Sequence, residues 1–378
     1  MNDPADTKII LTVCVAVYNI NDEYLRSCIE SLISDKKENV EFLLGDDGSR
    51  RQTADICAEY AKTDSRVRHI RREANSGVSV MRNMMIQSAR GEWISFVDGD
   101  DAVLNGYSEC LCNAVNEAEH TYDIIMYEWE RFNGSVPPGK AVRVPAVSLP
   151  CRAARQFSEA CLTGAPPHTE EYGITGSTPS SVCNKMYRRG FLLENNLLFV
   201  PGIKKSQDVI FNTQAYFVCK CLGYIPEKLY LYRKNSDSVT NRCSPDFETI
   251  IRDCIKCDLY NLERLFSGNA QTRSLWEKYK LTHYAMNNFA LNIFHRGNPN
   301  KRSVRKNAFL GFVRSEPFKT FFKEFDFSAY EWHERRIILK LAANENFGIL
   351  DLMYRFPFSF KMYGKIMSVI TKIHKRRV

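Results

Sequence analysis

Ile9-Ile10-Leu11-Thr12-Val13-Cys14-Val15-Ala16-Val17, running into Tyr18-Asn19, opens the regular part of the chain. The run is apolar and β-branched at nearly every position, which suits a strand covered on both faces, as in a parallel sheet. The pattern then switches to helical spacing over 22–33, where Leu25, Cys28, Ile29 and Leu32 recur on one side. Val40-Glu41-Phe42-Leu43-Leu44 reads as a second strand, stopped by Gly45-Asp46-Asp47-Gly48-Ser49. A helix over 53–61, a short strand over 67–70 and a helix over 78–88 follow. Glu92-Trp93-Ile94-Ser95-Phe96-Val97 is the next strand, closed by Asp98-Gly99-Asp100-Asp101. Strands alternating with short helices predict βαβ units and an α/β fold with a mostly parallel sheet.

Past residue 131 the regularity falls. The segment 133–150 reads as a loop or small hairpin and 164–181 as a mobile loop. Helical spacing returns over 247–344, most clearly at 252–266 and 275–294.

Composition bounds what such a chain can be. With 378 residues, 44% hydrophobic and 12% aromatic, it can bury a sizeable core and is not a disordered chain. A net charge of +8 argues against a nucleic-acid-coating protein and is compatible with anionic substrates or an anionic membrane surface. The 13 cysteines do not form paired zinc-knuckle spacings, the Cys110/Cys112 and Cys219/Cys221 pairs having one residue between them, and they read as small core residues of a reducing compartment. Residues 1–8 have no basic stretch leading into an apolar one, and no long apolar run follows, so a cytoplasmic protein is expected.

The chemistry concentrates in two acidic clusters, Asp46-Asp47 and Asp98-Gly99-Asp100-Asp101, each directly after an apolar strand. Ligands of open α/β sheets bind outside the carboxyl ends of the strands. Carboxylates so close repel one another, and a hard divalent cation, Mg²⁺ or Mn²⁺, relieves that and neutralises a diphosphate leaving group.

Four motifs occur in order: Val13-Cys14-Val15-Ala16-Val17-Tyr18-Asn19, Gly45-Asp46-Asp47-Gly48-Ser49, Asn75-Ser76-Gly77-Val78-Ser79-Val80-Met81-Arg82-Asn83 and Phe96-Val97-Asp98-Gly99-Asp100-Asp101. The set resembles an inverting family 2 glycosyltransferase of the GT-A fold, of the bacterial surface-polysaccharide type. The likeness is strong over about 8–130 and looser to about 242. It implies a Rossmann-like, mostly parallel sheet flanked by helices, with a C-terminal helical extension. The implied divisions are a nucleotide-sugar-binding half (1–130), an acceptor-side half (131–242), a helical extension (243–350) and a basic amphipathic tail (351–378).

The resemblance also implies roles. Ala16 and Tyr18 would meet the nucleotide base, and Asp47 would accept its N–H, favouring uracil. Asp46 would accept that N–H or hold the loop. Gly77 shapes a tight turn, and Arg82 would face the diphosphate or the base. Asp98 and Gly99 belong to the Asp-X-Asp motif, with Asp98 facing ribose or metal, Asp100 binding Mn²⁺ or Mg²⁺ and Asp101 orienting it. Inversion needs a base that takes the acceptor proton opposite the leaving group. Asp208, in Gly202-Ile203-Lys204-Lys205-Ser206-Gln207-Asp208, matches that base, with Gln207 in place of the family's Glu; capping the following helix is its other reading. Val182-Cys183-Asn184-Lys185-Met186-Tyr187-Arg188-Arg189 would be a strand and turn beside the acceptor. Arg233 and Lys234, opening a loop that runs to Thr240, would contact phosphate.

The tail after Asp351 has no acidic residue and carries Arg355, Lys361, Lys365, Lys372, Lys375, Arg376 and Arg377. Tyr363, Ile366, Met367, Ile370 and Ile373 share one helical face, the pattern of an interfacial anchor. A helix docked on the protein's own core is the other reading. The expected function is transfer of a hexose or N-acetylhexosamine from a nucleotide diphosphate sugar, a UDP-sugar above others, to a glycan or lipid-linked glycan hydroxyl. The expected setting is the cytoplasmic face of the inner membrane, with no nucleic-acid partner. Two other readings stay open: a non-catalytic nucleotide-sugar or glycan-binding module, and a metal-dependent nucleotidyltransferase.

Overall fold

The computed structural model describes residues 8–116, 122–175, 178–234, 243–327 and 333–356. The chain divides into two compact units, Met1–Leu162 with Pro166–Ser236, and Thr163–Ala165 with Asp237–Val378.

The first unit runs β1 (Leu11–Val17), α1 (Asp22–Ile33), β2 (Val40–Asp46), α2 (Arg51–Thr63), β3 (Val67–Arg71), α3 (Val78–Ser88), β4 (Trp93–Asp98), β5 (Ala102–Val103) and α4 (Tyr107–Asn116). It continues with β6 (Ile124–Phe132), β7 (Val147–Ser148), α5 (Cys151–Thr163), β8 (Lys185–Arg188), α6 (Arg189–Glu194), α7 (Gln207–Val218) and β9 (Leu222–Arg233). The strands form one nine-stranded sheet in the order β3-β2-β1-β4-β8-β6-β9-β5, with β7 on β9. Pairing is parallel across β3, β2, β1 and β4. Beyond β4 the sheet is mixed, because β8 lies antiparallel to both β4 and β6 while β6 and β9 are parallel. The mostly parallel sheet expected from the sequence is therefore its first half. An antiparallel strand needs no crossover helix, so the strand–helix alternation fades where β8 enters.

β1 and β2 are buried almost throughout, as their apolar runs require. Glu41 is a buried polar residue in β2. It accepts from Thr12 Oγ1 (2.8 Å) and the Arg90 N–H (3.0 Å) and pairs with Arg68 (2.9 Å), so its burial leaves the charge partnered. Asn21 caps α1 by accepting from the Glu23 and Tyr24 N–H groups at 3.0 and 3.3 Å. All thirteen cysteines are free thiols, and Cys151 is exposed.

The turn after β2 depends on Gly48. Its φ is +73°, and a Cβ there would lie 2.6 Å from the Ala74 carbonyl carbon. Gly48→Ala is expected to cost about 1–3 kcal/mol in backbone strain, seen as a fall of several degrees in thermal unfolding. An unchanged midpoint would show that the turn is not needed.

The second unit is helical, as the spacing over 247–344 predicted. It comprises α8 (Phe247–Phe266), α9 (Ala270–Trp276), α10 (Thr282–Asn288), α11 (Arg302–Val313), α12 (Phe318–Glu324), α13 (His333–Ala343) and α14 (Phe347–Arg355). Phe289, Phe294, Phe309, Phe312, Phe318 and Phe347 pack in its core. Asp351, expected to begin the tail, lies inside α14. It is buried and bonded to Arg305 (2.8 Å) and Arg302 (2.9 Å), with Arg355 3.6 Å away. The remainder of the proposed tail, 357–378, lies outside the described residues.

Candidate active site

The carboxyl ends of β1, β2 and β4 lie side by side, since Ala16 pairs with Gly45 on one side and Asp98 on the other. This brings both acidic clusters to one sheet edge. Gly99 packs close under β1, where a Cβ would come 3.2 Å from the Ala16 carbonyl oxygen. Tyr18 leaves the strand with 48% of its surface exposed.

Asp46 and Asp47 divide their work. Asp46 is fully buried and accepts from the Ser49 N–H at 2.8 Å, so it holds the loop. Burial alone would raise its pKa, but His69, Ser49 and Arg71 outweigh that and hold it below the usual range. Asp47 accepts from the Ser76 N–H (3.0 Å), Ser76 Oγ (2.8 Å) and the Gly77 N–H (2.7 Å). It thereby ties β2 to the N-terminus of α3, where Gly77 has a φ of +92°. A base reaching Asp47 competes with those donors, a commitment that the sequence expectation did not contain.

The acidic turn after β4 is braced from beneath. Asp101 is buried and accepts from the Tyr230 hydroxyl and from the Arg233 N–H at 2.8 Å. Burial, then the nearby Asp98 charge, push the Asp101 carboxyl up to about 8. The same two causes raise Asp100. Arg233, expected from the sequence to contact phosphate, is engaged here with the turn itself. It is 5% exposed, and its guanidinium donates to the carbonyls of Asp100 (2.8 Å) and Gly134 (2.6 Å) and to Ser27 Oγ (3.0 Å), between the rings of Tyr24 and Phe132. Its donors face the turn's backbone because the aromatic rings and carbonyls enclose them. Residues 235–242, the rest of the expected phosphate loop, lie outside the described residues.

Arg82 joins the two sides of the site. It is 3% exposed and donates to Asp98 Oδ1 at 3.0 Å and to Asp208 Oδ1 at 2.5 Å. Its guanidinium lies over Phe199 and Phe96, 5.2 and 5.9 Å from the ring centroids. Phe199 stacks on Phe211 at 4.1 Å, and Phe211 is three residues after Asp208 on α7. The aromatic stack thus fixes α7 against the Arg82 floor. Asp208 sits in the first turn of α7 without capping it; the N-cap is Ser206, with no side-chain cap bond. Its second oxygen accepts from the Val182 N–H at 3.4 Å.

The segment before β8 is held, unlike the mobile loop expected there. The fully buried Lys185 ammonium donates to the carbonyls of Thr178 (2.9 Å) and Ser181 and to Asn184 Oδ1 (2.7 Å). Burial pushes that ammonium down to about 7, against the opposing pull of Cys161, Asp208 and Cys183. Asn212, buried one turn after Asp208, donates to the carbonyls of Ser180 (2.9 Å) and Ser181 (3.1 Å) and accepts from the Tyr187 hydroxyl (2.7 Å). No role for Lys185 or Asn212 follows from the motifs. The available signals were a lysine inside an apolar strand and an i, i+4 spacing from Asp208.

Among the described residues, no group of three or more His, Cys, Asp or Glu side chains is placed to hold a metal. The pair Asp98 and Asp100 fits a cation that takes one or two protein carboxylates and fills its other positions from phosphate and water. Burial and the Asp98 charge raise the Asp100 carboxyl, and a cation between the two would relieve that repulsion.

Fold and site define an α/β protein of Rossmann-like topology with an acidic turn at the strand ends and a carboxylate facing it across a buried arginine. Residues 12–169 match the family described as Glycosyl transferase family 2. GlyG of Streptococcus pneumoniae serotype 4 is 32% identical over 236 residues, covering 61% of this chain and 72% of GlyG. The chain belongs to glycosyltransferase family 2. The uncharacterized glycosyltransferase EpsJ of Bacillus subtilis is 31% identical, and the match covers 61% of this chain and 63% of EpsJ. Staphylococcus aureus TarS 1–349, solved in complex with UDP-GlcNAc, shares the fold, with a TM-score of 0.61, 18% identity and 92% coverage of both chains. No helix among the described residues is long and apolar enough to cross a membrane.

Proposed function

We propose that the protein is an inverting glycosyltransferase that moves a hexose or N-acetylhexosamine from a nucleotide diphosphate sugar to a hydroxyl of a glycan or lipid-linked glycan. The observation that carries this reading is the single buried Arg82 guanidinium shared by Asp98 and Asp208. It sets a donor-side carboxylate and the candidate base within one arginine's reach. UDP is the preferred nucleotide, supported by the place of Asp47 directly after β2, beside the acidic turn, and by the ligand of the TarS complex.

In the proposed reaction the acceptor oxygen attacks the anomeric carbon as Asp208 takes its proton. The bond from that carbon to the phosphate oxygen breaks, and the diphosphate leaves on the opposite face. Asp208 becomes neutral while the departing diphosphate gains charge. Arg82, already beside both carboxylates, supplies a positive field without having to reorganise. Asp98 and Asp100 would hold Mn²⁺ or Mg²⁺, which would supply charge neutralisation at the diphosphate.

Calorimetric titration with UDP, with and without Mn²⁺, followed by a screen of nucleotide sugars for hydrolysis and transfer, tests the reading. Cation-dependent UDP binding with turnover of one sugar is the expected result. Binding without any turnover would favour a non-catalytic module, and turnover of a nucleoside triphosphate would favour a nucleotidyltransferase.

The basic tail would hold the protein on an anionic membrane surface, each basic side chain adding about 1 kcal/mol near the headgroups. The full chain should sediment with anionic vesicles at low salt, and a chain lacking residues 357–378 should not. Equal sedimentation of the two would discard the anchor.

A further inference from the structure

We propose that Lys185 is a positioning residue for the base: its buried ammonium clamps the 178–182 segment so that the Val182 N–H holds Asp208. The inference rests on Asp208 acting as the base, and its geometry stands by itself. Asp208 is bonded at one oxygen by Arg82 (2.5 Å) and met at the other by the longer contact from the Val182 N–H (3.4 Å). Val182 follows directly on Ser181, whose carbonyl accepts from both Lys185 and Asn212. The Thr178 carbonyl accepts from Lys185 (2.9 Å) and from Asn184 Nδ2 (3.3 Å), and Thr178 Oγ1 bonds Ser180 Oγ (2.8 Å). The segment is therefore held at both ends by one ammonium.

An apolar residue of similar length would fill this position without burying a charge, since removing charge from an interior is often neutral or stabilising. Lys185 is instead 0% exposed, and its ammonium has carbonyl and amide oxygens as partners. Losing the ammonium takes one donor from each of the Thr178 and Ser181 carbonyls and leaves them the bonds from Asn184 Nδ2 (3.3 Å) and Asn212 Nδ2 (3.1 Å), so the segment is held more loosely. Asp208 then keeps only its Arg82 bond and can swing about it. A displacement of about 1 Å at a reacting group lowers turnover about 10²-fold.

The test compares wild type with Lys185→Met and Lys185→Arg. It uses amide hydrogen exchange, UDP calorimetry, and turnover of UDP-glucose and UDP-GlcNAc. In Lys185→Met, exchange over 178–184 should rise at least about tenfold while β1 to β4 keep their protection. UDP affinity should stay within about twofold, kcat should fall about 10²-fold, and Lys185→Arg should recover part of it. Unchanged exchange would overturn the clamp. So would loosened exchange with full kcat, or a loss of UDP affinity that accounts for the whole drop. Should Lys185→Met fail to fold, Lys185→Gln, which keeps a donor without the charge, is read by the same criteria. Wild-type protein that turns over no sugar would sink the transferase reading, and the exchange comparison would still decide the clamp.

Discussion

Asp208→Asn should lower turnover by about 10²–10⁴-fold, the range that a positioned general base contributes, while UDP affinity stays within a few-fold. Asparagine has nearly the same shape, and its oxygen can still accept from Arg82 or from the Val182 N–H, so the site should stay assembled. What it cannot do is take the acceptor proton. The loss should therefore fall on kcat and leave the nucleotide side intact. Steady-state kinetics on the sugar found in the screen, beside calorimetry with UDP, check this. A variant with full turnover places the base elsewhere, and one that loses UDP affinity in step with kcat makes Asp208 a structural partner of Arg82.

The second large effect is on the donor side. In the wild type, Mn²⁺ should tighten UDP binding by at least about tenfold, or about 1.4 kcal/mol. Asp100→Ala should abolish that gain. Asp100 is the carboxylate of the turn with no arginine on its oxygens among the hydrogen bonds described, whereas Asp98 is engaged by Arg82 and Asp101 by Tyr230 and the Arg233 N–H. Burial and the Asp98 charge raise its pKa despite the opposing pull of Arg233, so a cation at Asp100 would relieve that repulsion. UDP binding that ignores Mn²⁺ in both proteins would remove the metal from the mechanism.

The behaviour of Arg233 shows where motif reading stops. A basic residue after a strand looks the same in sequence whether it reaches a phosphate or braces a turn. Here Tyr24 and Phe132, one from α1 and one from the end of β6, lie against its guanidinium, whose donors meet the turn's carbonyls. The 178–181 segment is a similar case. Its Gly-, Ser- and Thr-rich neighbourhood reads as loose, but the donors that fix it come from Lys185 and from Asn212, far along the chain. Arg82 was singled out in the sequence by its motif. Its bond to Asp208, 126 positions away, was not.

The sequence by itself determined the βαβ half, the two acidic turns and the helical second unit. Each of these is written in local terms: continuous apolar runs for strands buried on both faces, helical spacing, and Asp-Gly stops at strand ends. Only the tertiary structure decided which charge meets which. The antiparallel entry of β8, the bridge from Arg82 to Asp208 and the bond from Asn212 to Ser180 bring distant groups within bonding distance. Hydrogen bonds and ion pairs act over a few ångströms in space, and separation along the chain carries no trace of that distance.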